Sequence, residues 1–172
     1  IAVGSGTALA DDPDLTARRD GRIVHRPIRV LVDSGLRVPT TARLYRGSAA
    51  RETWVLCRRD ARGRKSRLET GARVLEARAK GVHLDLGRAL VLLGKEGITT
   101  LLVEGGGGLA AALLRMDLVD EIHWLIAPRL IGSGGKPALA ELRPIPLSDA
   151  VSLRDVSTRR LGPDVHIKGA LG

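Results

Sequence analysis

The chain has 172 residues, enough for one domain with a hydrophobic core, since a chain of about 150 residues buries roughly 70% of its unfolded surface. Hydrophobic residues make up 44% and mean hydropathy is +0.02, which excludes a disordered charged chain, and no apolar run reaches the roughly 18 residues of a membrane-spanning helix. A formal charge of +9 invites a nucleic-acid reading, but no Phe, one Tyr and two Trp leave little with which to stack single-stranded bases.

Residues 1–3 are apolar and run into Gly4-Ser5-Gly6-Thr7, which reads as a buried strand ending in a turn. Asp11-Asp12-Pro13-Asp14 follows, a sequence that suits an Asx-type turn. Residues 28–33 and 53–57 read as short apolar strands and 73–77 as a third. Residues 1–80 hold 18 basic and 9 acidic residues, so the whole positive excess lies there. Arg58, Arg59, Arg62, Arg64, Lys65 and Arg67 surround one acid, Asp60, and read as a polar loop, either solvated or anion-binding. Asp85 is placed to cap a helix whose Leu86, Ala89, Leu90 and Leu93 share one face, stopping near Gly97.

The clearest unit is a β-rich run at 99–103, then Glu104, a glycine turn at 105–108 and a helical stretch at 109–116. A strand at 122–127 ends at Pro128, and a second glycine loop follows at Gly132-Ser133-Gly134-Gly135. Residues 151–161 and 165–168 flank Gly162-Pro163-Asp164 as an antiparallel hairpin. The alternation predicts an α/β domain: a mostly parallel central sheet flanked by helices, with a carboxyl-terminal hairpin.

Glycines between a strand and a helix let backbone N–H groups approach a phosphate, and the helix dipole adds attraction. Gly105, Gly107 and Ala110 satisfy G-x-G-x-x-A, but the acid that a dinucleotide fingerprint expects at the end of the next strand is missing near Leu125. A nonstandard phosphate loop and a simple tight turn both remain. Glu104, at the carboxyl end of its strand, can orient hydroxyls or handle a proton, or be a solvated acid. Arg18 and Arg19 can grip a phosphate. The four histidines lack metal-site spacing and no zinc-deaminase motif occurs, so no metal is expected. Cys57, inside an apolar strand, reads as a packing residue.

Three stretches together resemble one family. Gly6-Thr7-Ala8-Leu9-Ala10-Asp11-Asp12-Pro13-Asp14-Leu15-Thr16-Ala17-Arg18 is similar to its G-T-x-L-A-D-D-P-x-L-T-x-R segment. Leu101-Leu102-Val103-Glu104-Gly105-Gly106, followed by Leu118-Val119-Asp120-Glu121, resembles its L-x-V-E-G-G … L-V-D-E block, and Ile126-Ala127-Pro128-Arg129-Leu130-Ile131-Gly132 its I-A-P-x-L-x-G. The family is the riboflavin-biosynthesis reductase, the carboxyl-terminal half of the bifunctional deaminase-reductase.

The resemblance implies a dihydrofolate-reductase-like fold and NADPH-dependent reduction of 5-amino-6-(5-phosphoribosylamino)uracil to its ribitylamino product. It implies that Thr7, Asp11, Ser34 and the stretch Gly106, Gly107, Gly108, Leu109, Ala110, Ala111 and Ala112 contact the cofactor. Leu15 and Arg18 would contact substrate, Arg18 at its phosphate, and Glu104 would face the reacting sugar. Residues 1–172 would form a single reductase domain lacking the family's amino-terminal strand and helix, and Gly107-Gly108 stands where relatives often carry Pro-Thr. A cytoplasmic homodimer is implied, without nucleic acid or membrane, fused to or associated with a zinc deaminase that is not in this chain. The alternatives are a similar reductase of another pterin-like substrate and, from a different class, a non-catalytic basic nucleic-acid-binding domain.

Overall fold

The computed structural model describes residues 1–81, 83–132, 134–140 and 146–171, with the side chains of Ser48, Ala49 and Lys80 outside that description. The chain divides into two compact units, residues 1–109 and 110–172.

In the first unit β1 (Ala2–Gly4) leads into α1 (Ser5–Asp11), and a two-stranded ribbon, β2 (Ala17–Arg19) with β3 (Arg22–His25), precedes β4 (Arg29–Val32). Then come β5 (Thr53–Arg58), α2 (Arg64–Glu69), β6 (Arg73–Ala77), the short pair β7 (Ala79–Lys80) and β8 (His83–Leu84), and α3 (Leu86–Lys95). Strands β1, β4, β5 and β6 lie side by side in that order, all parallel. Both faces of this sheet are covered, which is why its strands read as continuous apolar runs. Val3, Leu31, Val55 and Cys57 point into one core with Ala8 of α1 and Leu44. Their neighbours Ala2, Val30, Trp54 and Leu56 point into the other, with Ala89 and Leu93 of α3.

Asp85 caps α3 as its sequence requires, its side chain accepting from the Arg88 N–H at 3.1 Å. The helix ends before Gly97, whose φ is +90°. Leu86, Ala89 and Leu93 are buried, and Leu90 is partly buried against the same core.

Three local readings differ from the sequence expectation. The Gly4-Ser5-Gly6-Thr7 turn is the start of α1, a helix of 7 residues that buries Ser5 and Ala8. The basic stretch at 58–67 is not all loop: its second half forms α2, 6 residues long with none of them buried. The expected strand at 99–103 is reduced to one parallel bridge between Val103 and Ala2. The Ala2 N–H donates to the Leu102 carbonyl at 2.7 Å and the Glu104 N–H to that of Ala2 at 2.9 Å, so this segment lies against the free edge of β1.

Helix α4 (Gly107–Leu114) spans the boundary between the units. The second unit continues with β9 (Glu121–Ile126), β10 (Arg154–Leu161) and β11 (Asp164–Ala170). The expected hairpin is β10 with β11, turning at Gly162 with φ +62°. Strand β9 joins it on the far side of β11, making an antiparallel sheet ordered β10-β11-β9. Ser133 of the second glycine loop lies outside the described residues. Among the described residues no helix is long and apolar enough to cross a membrane.

Candidate functional site

Ligands of open parallel sheets bind beyond the carboxyl ends of the strands. In the first unit that edge carries Glu104 to Gly106 beside β1, then Ser5 and Thr7 after β1, Asp33 and Ser34 after β4, and Arg58 ending β5. Glu104 is exposed and Ser34 half-buried.

Gly105 and Gly106 have φ of +63° and +73°, a conformation that suits glycine. They also lie against Thr7: a Cβ on Gly105 would come within 3.1 Å of its Cγ2, and one on Gly106 within 2.9 Å of its Oγ1. The loop thus leaves its backbone bare beside a hydroxyl, a surface that a pyrophosphate can approach closely. Gly107, Gly108, Leu109, Ala110, Ala111 and Ala112 form the first turns of α4, in which Ala111 is buried.

Asp33 organises the turn that carries Ser34. It is wholly buried, its Oδ2 accepts from the Val38 N–H at 2.8 Å, and its carbonyl accepts from the Leu36 N–H at 3.1 Å. Ser34 is tied to the next strand, its carbonyl accepting from the Arg58 N–H at 3.0 Å.

The residues expected at the substrate form a separate group. Leu15 has φ +50° and packs against the core beneath α1. Arg18, on exposed β2, donates to Asp14 Oδ2 at 3.1 Å and Thr16 Oγ1 at 3.3 Å, so a phosphate there competes with Asp14. Asp12 accepts from the Arg43 N–H at 2.8 Å, while Asp11 ends α1 exposed. Among the described residues no hydrogen bond or ion pair joins Asp11 or Arg18 to Glu104.

Sequence reading overlooked two residues on the sheet edge. Ser5 is buried and accepts a hydrogen bond of 2.6 Å from Arg37 Nη2. The only signal was an arginine three residues after Ser34.

In the second unit two of the four histidines, His123 and His166, stand in one hydrogen-bonded chain. Arg159 Nε donates to His166 Nδ1 at 3.0 Å, which places the His166 proton on Nε2. That proton points at His123 Nδ1, 2.9 Å away, and His123 Nε2 in turn donates to Glu121 Oε1 at 2.6 Å. Lys168 completes the chain on Glu121 at 2.7 Å. Burial, and then the Arg159 charge, holds His166 below the ordinary histidine value. No group of His, Cys, Asp and Glu among the described residues is arranged to hold a metal.

Comparison with known proteins follows the same lines. A family model described as the RibD C-terminal domain matches residues 1–167. The riboflavin biosynthesis protein RibD of Escherichia coli is 36% identical over 188 residues, 99% of this chain and 48% of that protein. The 2,5-diamino-6-ribosylamino-4(3H)-pyrimidinone 5′-phosphate reductase of Archaeoglobus fulgidus is 38% identical over 151 residues, 82% of this chain and 67% of that protein. The chain spans about half the length of the RibD relatives it matches. Among solved structures, Acinetobacter baumannii RibD superposes with a TM-score of 0.80 at 22% identity, covering 99% of this chain and 46% of that one. The Saccharomyces riboflavin biosynthesis reductase Rib7 gives 0.76 at 22% identity, covering 99% and 74%. These structures show the expected dihydrofolate-reductase-like fold. With its motifs, its parallel sheet and nearly its whole length matched, the chain belongs to the family of RibD C-terminal domains.

Proposed function

We propose that the chain is an NADPH-dependent oxidoreductase that reduces 5-amino-6-(5-phosphoribosylamino)uracil to the ribitylamino product. The observation that carries this reading is the sheet edge. A bare glycine loop packed on Thr7 and an exposed carboxylate, Glu104, stand together there, in a chain whose relatives are named as reductases of this kind of phosphoribosylamino-pyrimidine.

The residues present fit a dinucleotide. The Gly105–Gly106 backbone and Thr7 form a cradle that any side chain at those glycines would fill, and Ser34 adds a hydroxyl on the neighbouring strand end. The nicotinamide, when bound, supplies the hydride. The protein's own work is positioning and electrostatics. Glu104 offers a carboxylate to the hydroxyls of the opened sugar or to positive charge at the nitrogen of its imine form, and Arg18 takes the sugar phosphate. Asp11 is assigned to the cofactor and Leu15 to the substrate on the family resemblance alone. The proposal includes a cytoplasmic homodimer. It also includes a zinc deaminase acting beside it, as in the Thermotoga maritima relative named as both deaminase and reductase, of which this chain covers 44%.

The test is oxidation of NADPH with two substrates supplied separately: the aminouracil, and the 2,5-diaminopyrimidinone for which the archaeal relatives are named. Turnover of the aminouracil is expected. Glu104→Gln is expected to lower kcat by about 100-fold or more while NADPH binding persists. A folded protein that binds NADPH and turns over neither compound refutes the reading. Turnover of the diaminopyrimidinone alone moves the reaction to the step before deamination.

A further inference from the structure

Arg37 stands on the sheet edge with Ser5 but has been given no role there, and it is held in one place. It follows β4 in a turn where Leu36 has φ +55°, a left-handed conformation that a branched side chain adopts only when its surroundings impose it. Those surroundings are specific. Arg67 Nη2, reaching across from α2, donates to the Leu36 carbonyl at 2.6 Å and the Val38 carbonyl at 2.8 Å, the two positions flanking Arg37. Asp33 Oδ2 holds the Val38 N–H.

From this clamped turn the Arg37 side chain runs over Gly35, where a Cβ would meet its Cγ at 3.8 Å, and donates to Ser5 Oγ at 2.6 Å. Arg18, Arg43, Arg58, Arg64, Arg73 and Arg88 each lie beside a carboxylate. Arg37 has none among the described residues. A fixed guanidinium whose recorded partner is a neutral hydroxyl keeps donors in hand for an anion.

Its position indicates which anion. Ser5 and Arg37 stand at the carboxyl ends of the adjacent strands β1 and β4, and the glycine loop lies on the other side of β1. Arg37 reaches Ser5 at 2.6 Å, and Ser5 stands two residues before Thr7, on which the glycine loop packs, so the guanidinium and the proposed pyrophosphate cradle are neighbours on one sheet edge. We propose that Arg37, with the hydroxyls of Ser5 and Ser34, binds the phosphomonoester on the adenosine 2′ oxygen of the cofactor and thereby selects NADPH over NADH. The guanidinium grips two phosphate oxygens and the serines offer two further donors. NADH has only a hydroxyl at that position, and leaves the guanidinium without its anion.

This inference rests on the proposed nicotinamide chemistry, and calorimetric titration separates the two. Wild type, Arg37→Ala and Arg37→Lys are titrated with NADPH, NADH, adenosine 2′,5′-bisphosphate, 5′-AMP and a single-stranded oligonucleotide. Arg37→Ala is expected to weaken NADPH and the bisphosphate by about 10- to 100-fold, with NADH and 5′-AMP changed less than about twofold, and Arg37→Lys to recover part of the loss. An equal loss for NADPH and NADH assigns Arg37 to the turn's structure and overturns the inference, leaving the reductase reading intact. So does unchanged binding of all four nucleotides. Binding of neither dinucleotide by wild type overturns both. A loss confined to the oligonucleotide gives Arg37 to nucleic acid and overturns it as well. Arg37 is exposed, so its variants are expected to keep the wild-type melting temperature, which is measured alongside.

Discussion

Replacing Arg67 by Met tests whether a side chain on one short helix holds the turn of another strand. The substitution keeps an unbranched apolar stem and removes the guanidinium that donates to the Leu36 and Val38 carbonyls. Leu36 is 6% exposed and Val38 is 0% exposed, so water has little access to the carbonyls left behind. An unsatisfied buried acceptor costs about 1–3 kcal/mol; partial relaxation of an exposed helix lowers the sum, and about 2–4 kcal/mol is expected. With a urea dependence of about 2 kcal/mol per molar, the unfolding midpoint falls by about 1–2 M. Trp54, on β5 in the first unit, reports that transition once Trp124 of the second unit is replaced by Phe in both proteins. Arg62→Ala, at an exposed position in the loop just before α2, is the control and is expected to stay within about 0.5 kcal/mol. A loss below about 0.5 kcal/mol for Arg67→Met refutes the reasoning, because the turn would then be held by Asp33 alone.

Two other outcomes follow from the titratable groups. The folded state holds His166 below its unfolded value, so its contribution is complete above about pH 6.5 and is lost as pH falls below it. The urea midpoint of the second unit, read from Trp124 with Trp54 replaced by Phe, is therefore expected to fall between about pH 7.5 and pH 5. His166→Gln is expected to flatten that dependence, while an unchanged slope would show that Arg159, His123, Glu121 and Lys168 do not sense the His166 charge. Burial, reinforced by Glu76, pushes the Cys57 thiol up to about 11, and the residue is fully enclosed in the sheet. Iodoacetamide is expected to label it only in denaturant; rapid labelling of the native protein would contradict the packing of β5.

The strands β4 and β5 were legible because each is a short, largely apolar run, which a sheet covered on both faces demands, and β6, at the edge of the sheet, because Val74, Leu75 and Ala77 keep it apolar between the exposed Arg73 and Glu76. Helix α3 was legible because ten residues carry both a cap and a periodic face. Helices α1 and α2 were not, because at 7 and 6 residues neither completes two full turns and neither presents a repeating face. Helix α1 forms where Ala8 meets the core above β1 and β4, a contact that local propensity does not encode. The 99–103 run has the composition of a strand but only one position of pairing, since edge pairing depends on where β1 ends.

The candidate site divides in the same way. Glu104, the glycine loop, Thr7, Asp11, Leu15 and Arg18 stand in contiguous motifs, so their identities, and the family, follow from the order of residues along the chain. Only the folded chain sets Thr7 against Gly105 and Gly106, engages Arg18 with Asp14, and carries Arg37 to Ser5. Ser5 and Arg37 are 32 residues apart and belong to no common motif. They meet because β1 and β4 are neighbours in a parallel sheet, and parallel pairing fixes which strand ends lie together through long-range packing, which no local pattern records.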